Sequence, residues 1–412
     1  MIKFEKIKLK NNLTVIVHQD KSSPMACLNI LYDVGARDED ESKTGFAHLF
    51  EHLMFGGSIN IPNYDEPLQL VGGENNAFTT NDITNYYCTV PAENLETAFW
   101  LESDRMLSLA FTDKSLEVQR SVVIEEFKQR YLNQPYGDVW LLLRPLCYKV
   151  HPYKWATIGK EISHIENATM DDVRSFFKKH YHPANAIMVV TGNVELDQVK
   201  QLCTKWFEPI PEIPKPKRDL PVEPKQTEAR KLTVERDVPV SSIYKAYHMC
   251  SRFDKEYHAF DLLSDILSRG NSSRLYNALV KEDPLFSEIN AYVMGDFDKG
   301  LFVVSGKLSE GVEMDTAEKA IIKELEKVRT ELVSETELQK CKNKVESSIT
   351  FSETDILNKA TNLAISELLG DAKLINEEIG KYLAVTTTDI KNIASVTLTE
   401  TNCSTLYYLK KK

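Results

Sequence analysis

No Cys-x-x-Cys pair, no long apolar run and no excess of positive charge occur in this sequence, and each absence closes off a class of protein. The seven cysteines (Cys27, Cys88, Cys147, Cys203, Cys250, Cys341 and Cys403) are scattered and odd in number. That argues against a disulfide framework and a thiolate zinc site and suits a reducing compartment. No uninterrupted apolar stretch is long enough to span a bilayer, and the opening MIKFEKIKLKNNLTVIVHQD has no apolar signal core. The expectation is a cytoplasmic protein with no membrane contact; a periplasmic chain whose signal peptide had been removed would read the same. With 50 Lys+Arg against 61 Asp+Glu the formal net charge is −11. Nothing here offsets phosphate repulsion, so nucleic acid is not an expected partner.

What remains is an ordinary globular composition, 42% hydrophobic and 27% charged, in a chain of 412 residues. That is too long for one core and implies two to three domains. KIKLKNNLTVIVHQD reads as a hairpin, MACLNILYDVG as a strand, NNAFTTNDITNYYCTVP as a strand pair split at TND, and 92–110 and 113–133 as helices. AIMVVTGNV is a buried strand with a helix after it. Prolines at 209, 211, 214, 216, 221 and 224 then forbid regular structure and mark an extended linker. Beyond it the order repeats: strands, the helix HAFDLLSDILSRG, a second strand pair, long helices over 312–332 and 335–369, and a last strand CSTLYYLK. The expected fold is α+β, with two similar halves from a duplication, each a mostly antiparallel sheet covered by helices. The expected division is 1–208, a linker 209–230, and 231–412.

One stretch carries chemistry. In GFAHLFEHLMFGGS the apolar residues Phe46, Leu49, Phe50, Leu53 and Met54 recur at helical spacing. His48, Glu51 and His52 stand at i, i+3 and i+4 and so share the other face. Two imidazoles one turn apart can bind one Zn²⁺, with a carboxylate beside them as base, in the order H-x-x-E-H. The motif alone is also compatible with a helix bearing half-exposed polar residues, so a third ligand is needed. SLEVQRSVVIEEFKQR offers Glu125 and Glu126, about 100° apart on a helix, so at most one of them is a ligand. The other histidines (His18, His151, His164, His180, His182, His248 and His258) lack partners at ligand spacing and read as packing, turn or capping residues.

With GFAHLFEHLMFGGS, VGGENNAFTTNDITNYY, QRSVVIEEFKQ, HPYKWATIG and YHPANAIMVVTGNV in that order, the chain resembles the pitrilysin family of inverzincins. That family includes insulin-degrading enzyme and the mitochondrial processing peptidase, and the likeness is to its short bacterial members. The resemblance is dense over residues 10–210 and architectural after the linker. It implies that His48, His52 and Glu126 hold one Zn²⁺ and that Glu51 is the general base. A position two turns before Glu126, where the family has a supporting glutamate, is Gln119 here. Asn75, Asn76, Ala77 and Phe78 fall on the family's substrate-docking edge strand. The implied substrates are extended peptides enclosed between the halves.

Active family members also carry an arginine and, seven residues later, a tyrosine in their second half. In SSRLYNALVKEDPLFSEINAY those positions are Val280 and Ser287, unless Arg274 or Tyr292 takes over. This implies a catalytic subunit that pairs with a paralogous partner supplying the Arg/Tyr pair, or a homodimer. The rival reading is a non-catalytic structural subunit, a class that typically loses the zinc motif.

Overall fold

The computed structural model describes residues 1–411. Its strands are β1 (Glu5–Lys8), β2 (Thr14–Gln19), β3 (Met25–Tyr32), β4 (Glu74–Thr79), β5 (Thr84–Pro91), β6 (Ala186–Gly192), β7 (Arg230–Arg236), β8 (Ser242–His248), β9 (Phe286–Met294), β10 (Leu301–Leu308) and β11 (Cys403–Lys410). The helices that matter below are α1 (Phe46–Leu53), α2 (Leu95–Leu107), α3 (Asp113–Phe127), α4 (Val139–Cys147), α5 (Tyr257–Ser268), α6 (Met314–Thr330), α7 (Glu335–Ser352) and α8 (Ile356–Leu368).

Contacts divide the chain into two compact units. The first gathers residues 1–129, 155–220 and 350–377; the second gathers 130–154, 221–349 and the chain from Glu378 onward. Each unit therefore takes one helical segment from the other half of the sequence, an exchange that a division at 209–230 does not capture.

The first unit is built on a six-stranded sheet in the order β1-β2-β6-β3-β5-β4. Only β2 and β6 run parallel, and the other neighbours are antiparallel. Every residue of β6 (AIMVVTG) is buried, as befits an unbroken apolar strand covered on both faces. One cover is the imported helix α8, which packs on β6 and β3. It is fastened by Thr191 Oγ1, which donates to Ile356 O at 2.7 Å, and by an ion pair of Lys359 with Asp20. Residues 211–227 of the Pro-rich stretch have no regular structure. They are still held, because Arg218 bonds Asp33 and Asp38 and Lys215 pairs with Asp33.

The second unit repeats the plan with five strands in the order β7-β11-β8-β10-β9, where β7 and β11 are the parallel pair. Its imported helix α4 packs on β7, β8 and β11. α5 packs on β9, and α6 lies over the same core of Phe260, Leu263, Phe302 and Ile321. The single helix expected over 335–369 is two. It stops at Ser352, and Asp355 caps a new one by accepting from the Leu357 and Asn358 N–H groups. The chain passes from the second unit to the first at 349/350, in the last turn of the helix before this break. All seven cysteines are free.

Candidate metal centre and the edge strand beside it

α1 buries Phe46, Ala47, Leu49, Phe50 and Leu53. Phe50 stacks on Tyr181 with ring centroids 5.1 Å apart, which fixes the helix's rotation. His48, Glu51 and His52 are thereby turned to the other face and are half-buried. The helix ends where Gly56 and Gly57 follow, Gly57 at φ +98°. The next turn is clamped by Asp104 of α2, which accepts from Ser58 Oγ, from Asn60 N–H at 3.1 Å and from Asn60 Nδ2 at 2.6 Å. Beside it Arg105 forms a two-point bond with Glu102, both fully buried, and lies over the rings of Tyr64 and Tyr86. These three charges were not singled out in the sequence. Their only signal there is LESDRML, a run of charge inside an otherwise apolar helix.

α3 brings the third group. It packs on α1 and buries Leu116, Val123 and Phe127, and that rotation separates the two glutamates. Glu125 is 60% exposed and pairs with Lys128 at 2.7 Å. Glu126 is 17% exposed and turns inward. Its Oε2 lies 3.5 Å from His48 Nε2 and 3.3 Å from His52 Nε2, and the two Nε2 atoms are 3.4 Å apart. Tetrahedral zinc with ligands at about 2.0–2.1 Å sets neighbouring ligand atoms about 3.3–3.4 Å apart. The near-equilateral triangle therefore has the edge a tetrahedral zinc requires, and two imidazoles with a carboxylate are a zinc donor set. Among the described residues this is the one group of three or more metal-ligating side chains that close.

Gln119 sits half-buried two turns before Glu126, with its amide nitrogen beside Gly56 at the end of α1. β4 is the free edge of the first sheet and packs near α1. Its pairing with β5 runs from Glu74↔Thr89 to Thr79↔Thr84, and the turn closes with Thr80 N–H bonded to Ile83 O. Antiparallel alternation then points the N–H and C=O of Asn75, Ala77 and Thr79 outward. The Ala77 N–H is held at 2.8 Å by the side-chain oxygen of Asn76, and Asn75 Nδ2 donates to Asp65 at 2.8 Å. Phe78 pairs with Asn85.

In the second unit Val280 packs against the core and exposed Ser287 donates to Lys307 O at 3.2 Å. Neither substitute is free. Arg274 makes a two-point bond to Glu337 at 2.9 Å, and Tyr292 packs into the cluster around Leu143 and Val303.

The family description "Insulinase (Peptidase family M16)" matches residues 14–136, which include all three candidate ligands, and "Peptidase M16 inactive domain" matches residues 167–345. The zinc protease PqqE of Helicobacter pylori is 30% identical over 98% of this chain and 92% of its own length. This chain belongs to the M16 peptidase family. A crystal structure of a protease from Helicobacter pylori superposes with a TM-score of 0.93 at 28% identity, covering 99% of this chain and 100% of that one. The mitochondrial-processing peptidase subunit beta of Saccharomyces cerevisiae is 24% identical over 84% of this chain and 78% of its own. The M16 fold of two similar halves, each a sheet of mixed strands covered by helices, is thus this chain's fold. Its relatives' names make it a zinc-protease relative, and no helix among the described residues is long and apolar enough to cross a membrane.

Proposed function

We propose that this M16 protein is a zinc-dependent endopeptidase acting on extended or unfolded peptides, with His48, His52 and Glu126 as ligands and Glu51 as general base. The observation that carries the reading is the 3.3–3.5 Å triangle of Nε2, Nε2 and Oε2. Zn²⁺ held there would supply a Lewis acid for the scissile carbonyl and for water. Glu51 projects from the face that carries both histidines and is not needed as a ligand. Its carboxylate takes the proton of the attacking water and returns it to the leaving amine.

The outward N–H and C=O groups of Asn75, Ala77 and Thr79 pair with the backbone of a substrate strand, which makes binding largely independent of side chains. Asn76 must release the Ala77 N–H as the strand arrives. Gln119 can accept from a ligand's N–H but brings no charge to the site.

Val280 and Ser287 offer no long donor for a developing oxyanion. The proposal therefore includes a paralogous subunit that supplies an arginine and a tyrosine, with a homodimer as the other arrangement. The test is zinc per chain by elemental analysis, together with a mixed-peptide digest read by mass spectrometry with and without chelator. Near-stoichiometric zinc and chelator-sensitive cleavage are expected. A chain that holds no zinc and cleaves nothing with any partner would be a structural subunit instead.

A further inference from the structure

α1 starts at a residue that cannot cap it. Gly45 occupies the N-cap at φ +90° and offers no side chain, while the first-turn N–H groups of any helix need acceptors. No side chain fits there, since a Cβ on Gly45 would stand 2.7 Å from Ile158 O and 2.9 Å from Ile165 Cδ1. The acceptor comes from six residues upstream. Glu39 Oε2 accepts from Gly45 N–H at 2.9 Å, and Oε1 accepts from Ala47 N–H at 2.8 Å.

Glu39 is only 8% exposed; burial raises its carboxyl above the ordinary range, and the two N–H groups pull against that rise by favouring the ionised form, which accepts with both oxygens. A buried carboxylate is costly to keep. Its surroundings fix it in place: the Trp155 indole N–H donates to Ala36 O at 2.9 Å, bracing the turn that leads into Glu39. Thr44 Oγ1, next to Gly45, accepts from Lys160 N–H at 2.7 Å and meets His164 Nδ1 at 2.8 Å.

We infer that Glu39 is a positioning residue for the metal triad, gripping the first turn of α1 so that His48 Nε2 falls at ligand distance from His52 and Glu126. The inference rests on the zinc reading above. His48 directly follows Ala47, the second gripped amide, and the triangle leaves little slack. A first turn displaced by half an ångström is enough to spoil a constellation of this kind.

Glu39→Gln turns one of the two acceptors into an NH₂ facing a backbone N–H. Glu39→Asp, one methylene shorter, reaches at most one of the two amides. In both variants the zinc dissociation constant, measured on folded protein by competition with a chromophoric chelator, should rise about 10- to 100-fold. The visible absorption of the Co²⁺-substituted protein should change with it. Asp20→Asn, which breaks the ion pair with Lys359 and does not touch α1, lowers stability as a control and should keep the wild-type constant and spectrum. If both Glu39 variants lose stability yet bind Zn²⁺ and Co²⁺ as wild type does, Glu39 is an ordinary cap and the inference is overturned alone. Wild-type protein that binds neither metal would overturn the zinc reading, and this inference with it.

Discussion

Adjacent Glu125 and Glu126 give the sharpest test of the candidate metal centre, because the same change one residue apart should have opposite consequences. Glu126→Gln removes the one charged oxygen that closes the triangle with both histidines at 3.3 and 3.5 Å. Loss of a group that merely supports a ligand costs about 10- to 100-fold in metal affinity, so loss of the ligand itself should cost at least about 100-fold. At zinc 100 times the wild-type dissociation constant, binding stabilises the wild-type fold by about 2.7 kcal/mol. In a unit of about 200 residues that raises the melting temperature by about 5–10 °C. In Glu126→Gln the same zinc concentration no longer exceeds the dissociation constant. The stabilisation drops to about 0.4 kcal/mol and the shift to about 1–2 °C. Glu125→Gln touches only an exposed pair with Lys128, worth about 0–1 kcal/mol, and should keep the full zinc-induced shift. The assay is thermal unfolding with and without zinc, backed by chelator competition. A full shift in Glu126→Gln with loss in Glu125→Gln would refute the assigned rotation of α3, and full shifts in both would refute the carboxylate ligand.

Glu51→Gln should keep zinc and fold while turnover falls about 10²-fold or more; peptide cleavage near the wild-type rate would remove Glu51 as the base. The isolated chain should bind zinc but cleave poorly, with activity appearing on titration of a paralogous subunit. Full activity that does not change on dilution of the pure chain would refute partner dependence. Burial holds His180 down to about 3 and His248 down to about 4, so both fold neutral, whereas the unfolded chain takes up their protons below about pH 6.5. Stability should therefore fall as pH drops from about 6.5 towards 4, by up to about 1.4 kcal/mol per pH unit for each histidine. His180→Gln should flatten that slope in denaturant titrations, and an unchanged slope would show that His180 is protonated in the folded state.

The centre was legible because its chemistry is local. Residues 48, 51 and 52 must share a face if 46–54 is a helix at all, and the apolar pattern says which face. β4 was legible as a strand from its pattern, whereas its place at the sheet's free edge, a fact of topology, came only from the family resemblance. The choice between Glu125 and Glu126 came from the family resemblance, since helical rotation is set by what Val123 and Phe127 pack on. Four features escaped for a common reason. The break at 353–355, the helix Val139–Cys147, the clamp by Asp104 and the grip of Glu39 all depend on partners far along the chain or on a backbone angle. In α7 and α8 the apolar pattern continues across the break, and only the capping bonds of Asp355 reveal it. Glu39 looks like one more acid in ARDEDES until Gly45 is known to sit at φ +90°.

Among the described residues only the first of the two similar halves closes a set of candidate metal ligands, and packing gives the reason. α5 stands in the second unit where α1 stands in the first, the helix following the strand next to the parallel pair. Ten of its residues from Tyr257 to Leu267 are buried, on every side of the helix. Its polar groups are already bound within that unit: His258 lies 3.2 Å from Glu378, and Asp261 accepts from Tyr382 at 2.6 Å. A helix packed all round has no face on which two histidines could meet both a metal and a substrate. Edge position does not decide this, since β4 beside α1 and β9 beside α5 are both outermost strands of their sheets; the difference is that α1 leaves His48, Glu51 and His52 half-buried on one face. The candidate ligands of the first unit thus depend on a helix face that packing leaves open, and the packing of α5 leaves no such face in the second.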